Sequence, residues 1–63
     1  MRLAYTTQPD PDWAGLVRHV WTFTDHLGRK YTYGALIDDE CEDIEKEIAY
    51  HEDQAGKVIG RML

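Results

Sequence analysis

Val17-Arg18-His19-Val20-Trp21-Thr22-Phe23-Thr24-Asp25-His26-Leu27-Gly28-Arg29-Lys30-Tyr31-Thr32-Tyr33 is the stretch that decides the fold. Val17, His19, Trp21 and Phe23 alternate with Arg18, Val20, Thr22 and Thr24, a period of two in a β-rich composition, and so a strand. Asp25 followed three residues later by Gly28 suits a type I turn closed by a glycine bulge, because Gly28 enters the left-handed region at little cost. With residues 26–28 as the loop, Phe23 faces Tyr31 and Trp21 faces Tyr33, which puts four rings on one face. Thr22 against Thr32 and Thr24 against Lys30 form the other. Each aromatic cross-strand pair contributes roughly 0.2–1 kcal/mol relative to an alanine pair. The hairpin is expected over residues 16–25 and 29–36.

Upstream, residues 2–7 form a possible third strand. Pro9-Asp10-Pro11-Asp12 should break regular structure, since each proline fixes φ and lacks a donor. Trp13 follows in this loop and either plugs the edge of the core or anchors a partner, as tryptophan does at interface hot spots. Downstream, Ile37, Cys41, Ile44, Ile48, His51, Ala55, Val58 and Met62 recur at spacings of four and three, a heptad seam. The spacing predicts a helix over residues 38–62, capped by Asp38 or Asp39 and either continuous or ended near Ala55 with Gly56 as a left-handed cap. The expected fold is therefore α+β: an antiparallel hairpin, with a possible third strand, packed on one long C-terminal helix, in a single domain over residues 1–63.

Size narrows the functional classes. A chain of 63 residues hides only about 60% of the surface its unfolded form exposes, so chains of this size usually need a staple. The one cysteine, Cys41, cannot form an internal disulfide and fits a reducing cytoplasm. A homodimer is the expected staple, with Ile44, Ile48, His51 and Ala55 as its contact. Tyr50 and Ile59 lie off that seam and widen it. No segment reads as a signal peptide or a membrane span. His19, His26, His51 and Cys41 lack the close pairing of a zinc site. No glycine-rich phosphate loop occurs, and so small a domain rarely encloses a substrate pocket. Neither an enzyme nor a metal or cofactor site is expected.

Charge is the remaining signal. The chain carries −5 overall, yet Asp38, Asp39, Glu40, Glu42, Asp43, Glu45 and Glu47 stand against Lys46 alone, which is −6 in ten residues and leaves the remainder near +1. Such a run is often a solvated helix face. Read as helix, it spans about 15 Å, a charge density of the same order as the one negative charge per about 1.7 Å of duplex DNA. Asp43 and Glu47, four apart, repel mildly in a helix, so the excess goes beyond what capping needs. These seven acids, with Trp13 as an apolar anchor, are the candidate surface for a basic, nucleic-acid-binding host protein or enzyme. Two other readings stay open. In one, the chain is an assembly component that oligomerises through its helix. In the other, it is a nucleic-acid-binding module using the aromatic hairpin with Arg18, Arg29 and Lys30, although its acidity argues against direct nucleic-acid binding.

The Asp25-His26-Leu27-Gly28-Arg29 turn, the following Tyr31-Thr32-Tyr33 and the downstream helix, together about half the chain, resemble the layout of the small acidic uracil-DNA glycosylase inhibitors of phi29-like phages. That resemblance implies a class, a dimeric inhibitor of a DNA-acting host enzyme in the host cytoplasm. It transfers no individual residue.

Overall fold

The computed structural model describes residues 2–63. Three strands, β1 (Ala4–Pro9), β2 (Leu16–Thr24) and β3 (Lys30–Asp38), are followed by one helix, α1 (Ile44–Met62). They form an antiparallel sheet in the order β1-β2-β3, and α1 packs across β3 and β2. The fold is α+β, as expected, and the third strand is present.

The central hairpin has the expected register: Phe23 pairs with Tyr31, Trp21 with Tyr33, Thr22 with Thr32 and Thr24 with Lys30. Its turn depends on Gly28 at φ 82° and on Asp25. The Asp25 carboxylate accepts the backbone N–H groups of Leu27 and Arg29, each at 2.9 Å, and the Arg29 Nε–H at 2.7 Å. β1 joins with Tyr5 opposite Trp21 and Thr7 opposite His19. Pro9 ends β1 rather than interrupting it, because an edge strand tolerates a residue without a donor.

Odd-numbered residues of β2 and β3 turn toward the helix and even-numbered ones away from it, as the burial pattern shows. Trp21 is 1% exposed and sits in one row between Tyr5 and Tyr33, with ring centroids 5.1 and 6.0 Å away. Ile37, Ala55 and Ile59 complete the fully buried apolar core.

The helix departs from the sequence reading at its start and agrees with it at its end. It begins at Ile44, not at residue 38. β3 claims Asp38, paired with Leu16, and the Asp39 N–H donates to the Gly15 carbonyl at 2.9 Å. Asp38 Oδ1 then accepts the Glu40 N–H at 2.9 Å, a local turn of the kind by which aspartate competes with helix. Asp43, not Asp38 or Asp39, occupies the cap position, and its side chain makes no capping hydrogen bond. At the other end the helix runs unbroken through Gly56 to Met62.

The seam assigned to self-association faces the chain's own sheet. Ala55 is fully buried there, His51 Nδ1 shares a hydrogen bond of 3.0 Å with the Tyr33 hydroxyl, and Ile44 and Ile48 are half-buried. Within one chain, then, Ala55 has no surface left to offer a second copy. Ile59, which the heptad spacing left aside, is fully buried, whereas Met62 is half exposed. A straight helix drifts about 20° per heptad from a strict seven-residue repeat, so by its last turns the core-facing position has moved on by one residue.

Two stability predictions follow from this packing. A Cβ added at Gly56 or Gly60 meets no atom within 4 Å, so Gly56→Ala and Gly60→Ala should each stabilise the chain by about 0.5–1 kcal/mol in urea unfolding. The second concerns His19, which is 3% exposed. Its Nδ1 lies 2.6 Å from the Tyr5 hydroxyl, and its Nε2 is buried with no hydrogen-bond partner among the described residues. Burial, with a smaller contribution from the charge of His51, holds its pKa below the ordinary 6.5. The unfolded chain therefore takes up a proton that the folded chain refuses. Stability should be complete above pH 6.5, decline as the pH falls below it, and level off once the folded-state pKa is passed. His19→Gln should flatten the midpoint-versus-pH curve in this window, and an unchanged slope would exclude His19 as its source.

Candidate partner-binding surface

The two segments singled out by composition meet at one end of the sheet. The first is the loop between β1 and β2, organised by Asp10. The Asp10 N–H donates to the Leu16 carbonyl at 3.0 Å, and the Leu16 N–H to the Trp13 carbonyl at 3.3 Å, while Gly15 turns the chain at φ 85°. The Asp10 carboxylate is buried; it accepts the N–H groups of Asp12 at 2.8 Å and Trp13 at 3.0 Å and pairs with Arg18 Nη2 at 3.3 Å. The Asp12 N–H is the leading cause that holds the Asp10 carboxyl below 3.8, followed by the Trp13 N–H and then by Arg18, against an opposing push from burial. Asp10 thus stays ionised at neutral pH and fixes the loop. The backbone of Trp13 is pinned and its indole stands outward, 66% exposed. It does not plug the core edge.

The second segment, residues 38–43, leaves β3 and turns into the helix. The hydrogen bond from Asp39 to Gly15 ties it to the first loop, and Asp39 Oδ1 lies within van der Waals reach of the Gly15 position. Trp13 and the acidic run therefore share one end of the molecule.

All seven predicted acids, Asp38, Asp39, Glu40, Glu42, Asp43, Glu45 and Glu47, are exposed. Among the described residues none pairs with a lysine or arginine; Glu47 alone has a basic neighbour, His51 Nε2 at 3.9 Å. Arg18 and Arg29 are engaged by Asp10 and Asp25, and Lys57 by Asp53 at 3.0 Å. Glu42 and Lys46, four apart, make no ion pair, because Glu42 precedes the helix.

The geometry of the run differs from the expected helix face. Asp38 closes a strand, Asp39, Glu40, Glu42 and Asp43 lie before the helix, and only Glu45 and Glu47 lie on α1. Two residues apart on a helix is about 200° around the axis, so these two acids flank the core-facing line instead of sharing a side. The charge is gathered at a strand-turn-helix corner rather than drawn out as a rod. Asp12, exposed beside Trp13, belongs to the same end and was not singled out from sequence, although its place between Pro11 and Trp13 marks it as a turn residue.

Among the described residues no three histidine, cysteine or acidic side chains are grouped so as to hold a metal ion, and no helix is long and apolar enough to cross a membrane. On the aromatic face of the hairpin Trp21 is buried, while Phe23, Tyr31 and Tyr33 are half-buried. Compared with known proteins, the chain matches no protein family, no curated protein and no solved structure.

Proposed function

We propose that this chain is a non-catalytic interaction protein whose acidic corner engages a basic, nucleic-acid-binding protein and denies that protein its ligand. A phage or mobile-element inhibitor of a host DNA-acting enzyme is the class that fits. One observation carries the reading. The hydrogen bond between Asp39 and Gly15 sets an exposed indole beside carboxylates that none of the chain's own arginines or lysines neutralises. Unpaired carboxylates steer a basic surface by long-range attraction. An aromatic side chain held by a rigid loop adds an apolar anchor at little entropic cost.

Mimicry here would reproduce a cluster of phosphates at one corner, not the length of a duplex. The expected target is thus a pocket or short groove lined by arginine and lysine.

The chain immobilised as bait tests this. Wild type should retain a DNA-binding protein from host lysate, and duplex DNA or salt above about 0.5 M should release it, because exposed charges are screened beyond a few ångströms at that ionic strength. The triple reversal Asp39→Lys, Glu42→Lys, Asp43→Lys should lose most of the retained protein and the salt dependence. Trp13→Ala should weaken binding by about thirtyfold, the equivalent of roughly 2 kcal/mol at a hot spot. Binding and salt response unaltered by the triple reversal would rule the reading out.

A further inference from the structure

The helix covers one face of the sheet, and the other face lies open. It carries Ala4, Thr6, Val20, Thr22, Gly34 and Leu36, with Arg18, Lys30 and Asp38 as its charged members. Gly34 stands at its middle, in the interior of β3, opposite Val20. Glycine weakens a strand and often marks a close approach by another surface. Nothing in the chain itself requires it: its φ is not positive, and an added Cβ would meet only the His19 carbonyl oxygen at 3.9 Å, an ordinary contact. Beside it is an open hollow of about 280 Å³ lined by Arg18, Gly34, Ala35 and Leu36. Leu36, two residues along the same strand and on the same face, projects with 47% exposure.

We propose that this face is the contact between two copies of the chain, with Leu36 of each copy seated in the hollow above Gly34 of the other. A knob and a hole two residues apart on one strand satisfy a two-fold axis, since an isologous contact requires residue i to meet j and j to meet i. The axis crosses β3 at Ala35 and reverses one β3 over the other. That reversal carries Lys30 of each copy toward Asp38 and Glu40 of its partner, a complementary pairing, and Lys30 makes no ion pair within the chain among the described residues. Strands about 4.8 Å apart, up to nine residues long at about 3.3 Å per residue, give on the order of 400 Å² of flat surface. That is about half of the roughly 800 Å² per partner of a standard interface and matches a weak, reversible contact. The charge also permits it. This face holds two cations and one anion in a chain of net charge −5, and the reversal sets the two acidic corners at opposite poles.

Sedimentation equilibrium of the full chain from about 5 to 500 μM decides the matter. Wild type should sediment at twice its 7.3 kDa in the upper part of that range. Gly34→Val, which fills the hole with a good strand former, and Leu36→Lys, which replaces the knob with a charge, should each weaken self-association at least tenfold while keeping the far-UV spectrum of the wild type. Should Gly34→Val not fold, Leu36→Lys decides alone, because its side chain is exposed. A wild type that stays monomeric throughout overturns the proposal. So does a dimer that both variants leave at full strength, which would place the contact at the β1 edge or on the helix.

Discussion

Burial of Trp21 is the constraint on which the rest of this structure depends. Its indole is the largest fully buried side chain together with Ile59, and it lies at the meeting point of all four elements. Tyr5 from β1 and Tyr33 from β3 flank it in one row, β2 carries it, and α1 packs across β2 and β3 with its Ala55 and Ile59 buried. A fully buried aromatic of this size contributes about 3–5 kcal/mol against its truncation to alanine. A domain of 63 residues has, at about 0.05–0.15 kcal/mol per residue, only some 3–9 kcal/mol of net stability. One side chain therefore accounts for much of the margin. Polar tyrosine and histidine neighbours surround it because few large aliphatic residues are present to do so. That explains why a histidine with an unpartnered nitrogen is tolerated at the second row, His19 beside Trp21.

The same economy explains two loop aspartates, one buried and one half-buried. Asp25 and Asp10 each organise a tight loop by accepting backbone N–H groups and then hold an arginine that would otherwise be a free cation, Arg29 and Arg18. At Asp25 burial would raise the carboxyl pKa, but hydrogen bonds from Arg29 and Leu27 outweigh it and the net direction is down. Turn-building thus has an electrostatic side effect. With Arg18 and Arg29 engaged in this way, none of the acids of residues 38–47 pairs with an arginine among the described residues. Their exposure is set by how the loops are tied as much as by the acids themselves.

Legibility in the sequence follows the range of the interactions. The hairpin could be read to the residue because its determinants are local: alternation over β2, an aspartate and a glycine at fixed offsets, and rings that pair only in one register. The helix start could not. Residues 38–43 have acids suited to a helix N-terminus, but Asp38 is claimed by Leu16 and Asp39 by Gly15, partners more than twenty residues away that no local pattern announces. The heptad seam was found, yet its occupant was not. Periodicity reports that a stripe must be buried, without saying whether a second chain or the chain's own sheet buries it. Ile59 was missed because a 3.5-residue template was laid on a helix of 3.6. The candidate acids were visible as composition, but their gathering beside Trp13 required the long-range tie to the β1–β2 loop.

The thinness of the molecule links these features. One helix on one sheet gives a two-layer body only 15 Å across its shortest Cα dimension, and such a body has a face with nothing on it. An acidic chain cannot cover that face with just any neighbour, since net like charge opposes association at every distance within the Debye length. The distribution of charge resolves this. The acids are concentrated at one corner, while the open face keeps threonine methyls, Val20, Leu36 and a vacant glycine position. The proposed contact and the proposed acidic corner thus share only their boundary, Asp38 and Glu40, and leave Asp39, Glu42 and Asp43 to the corner.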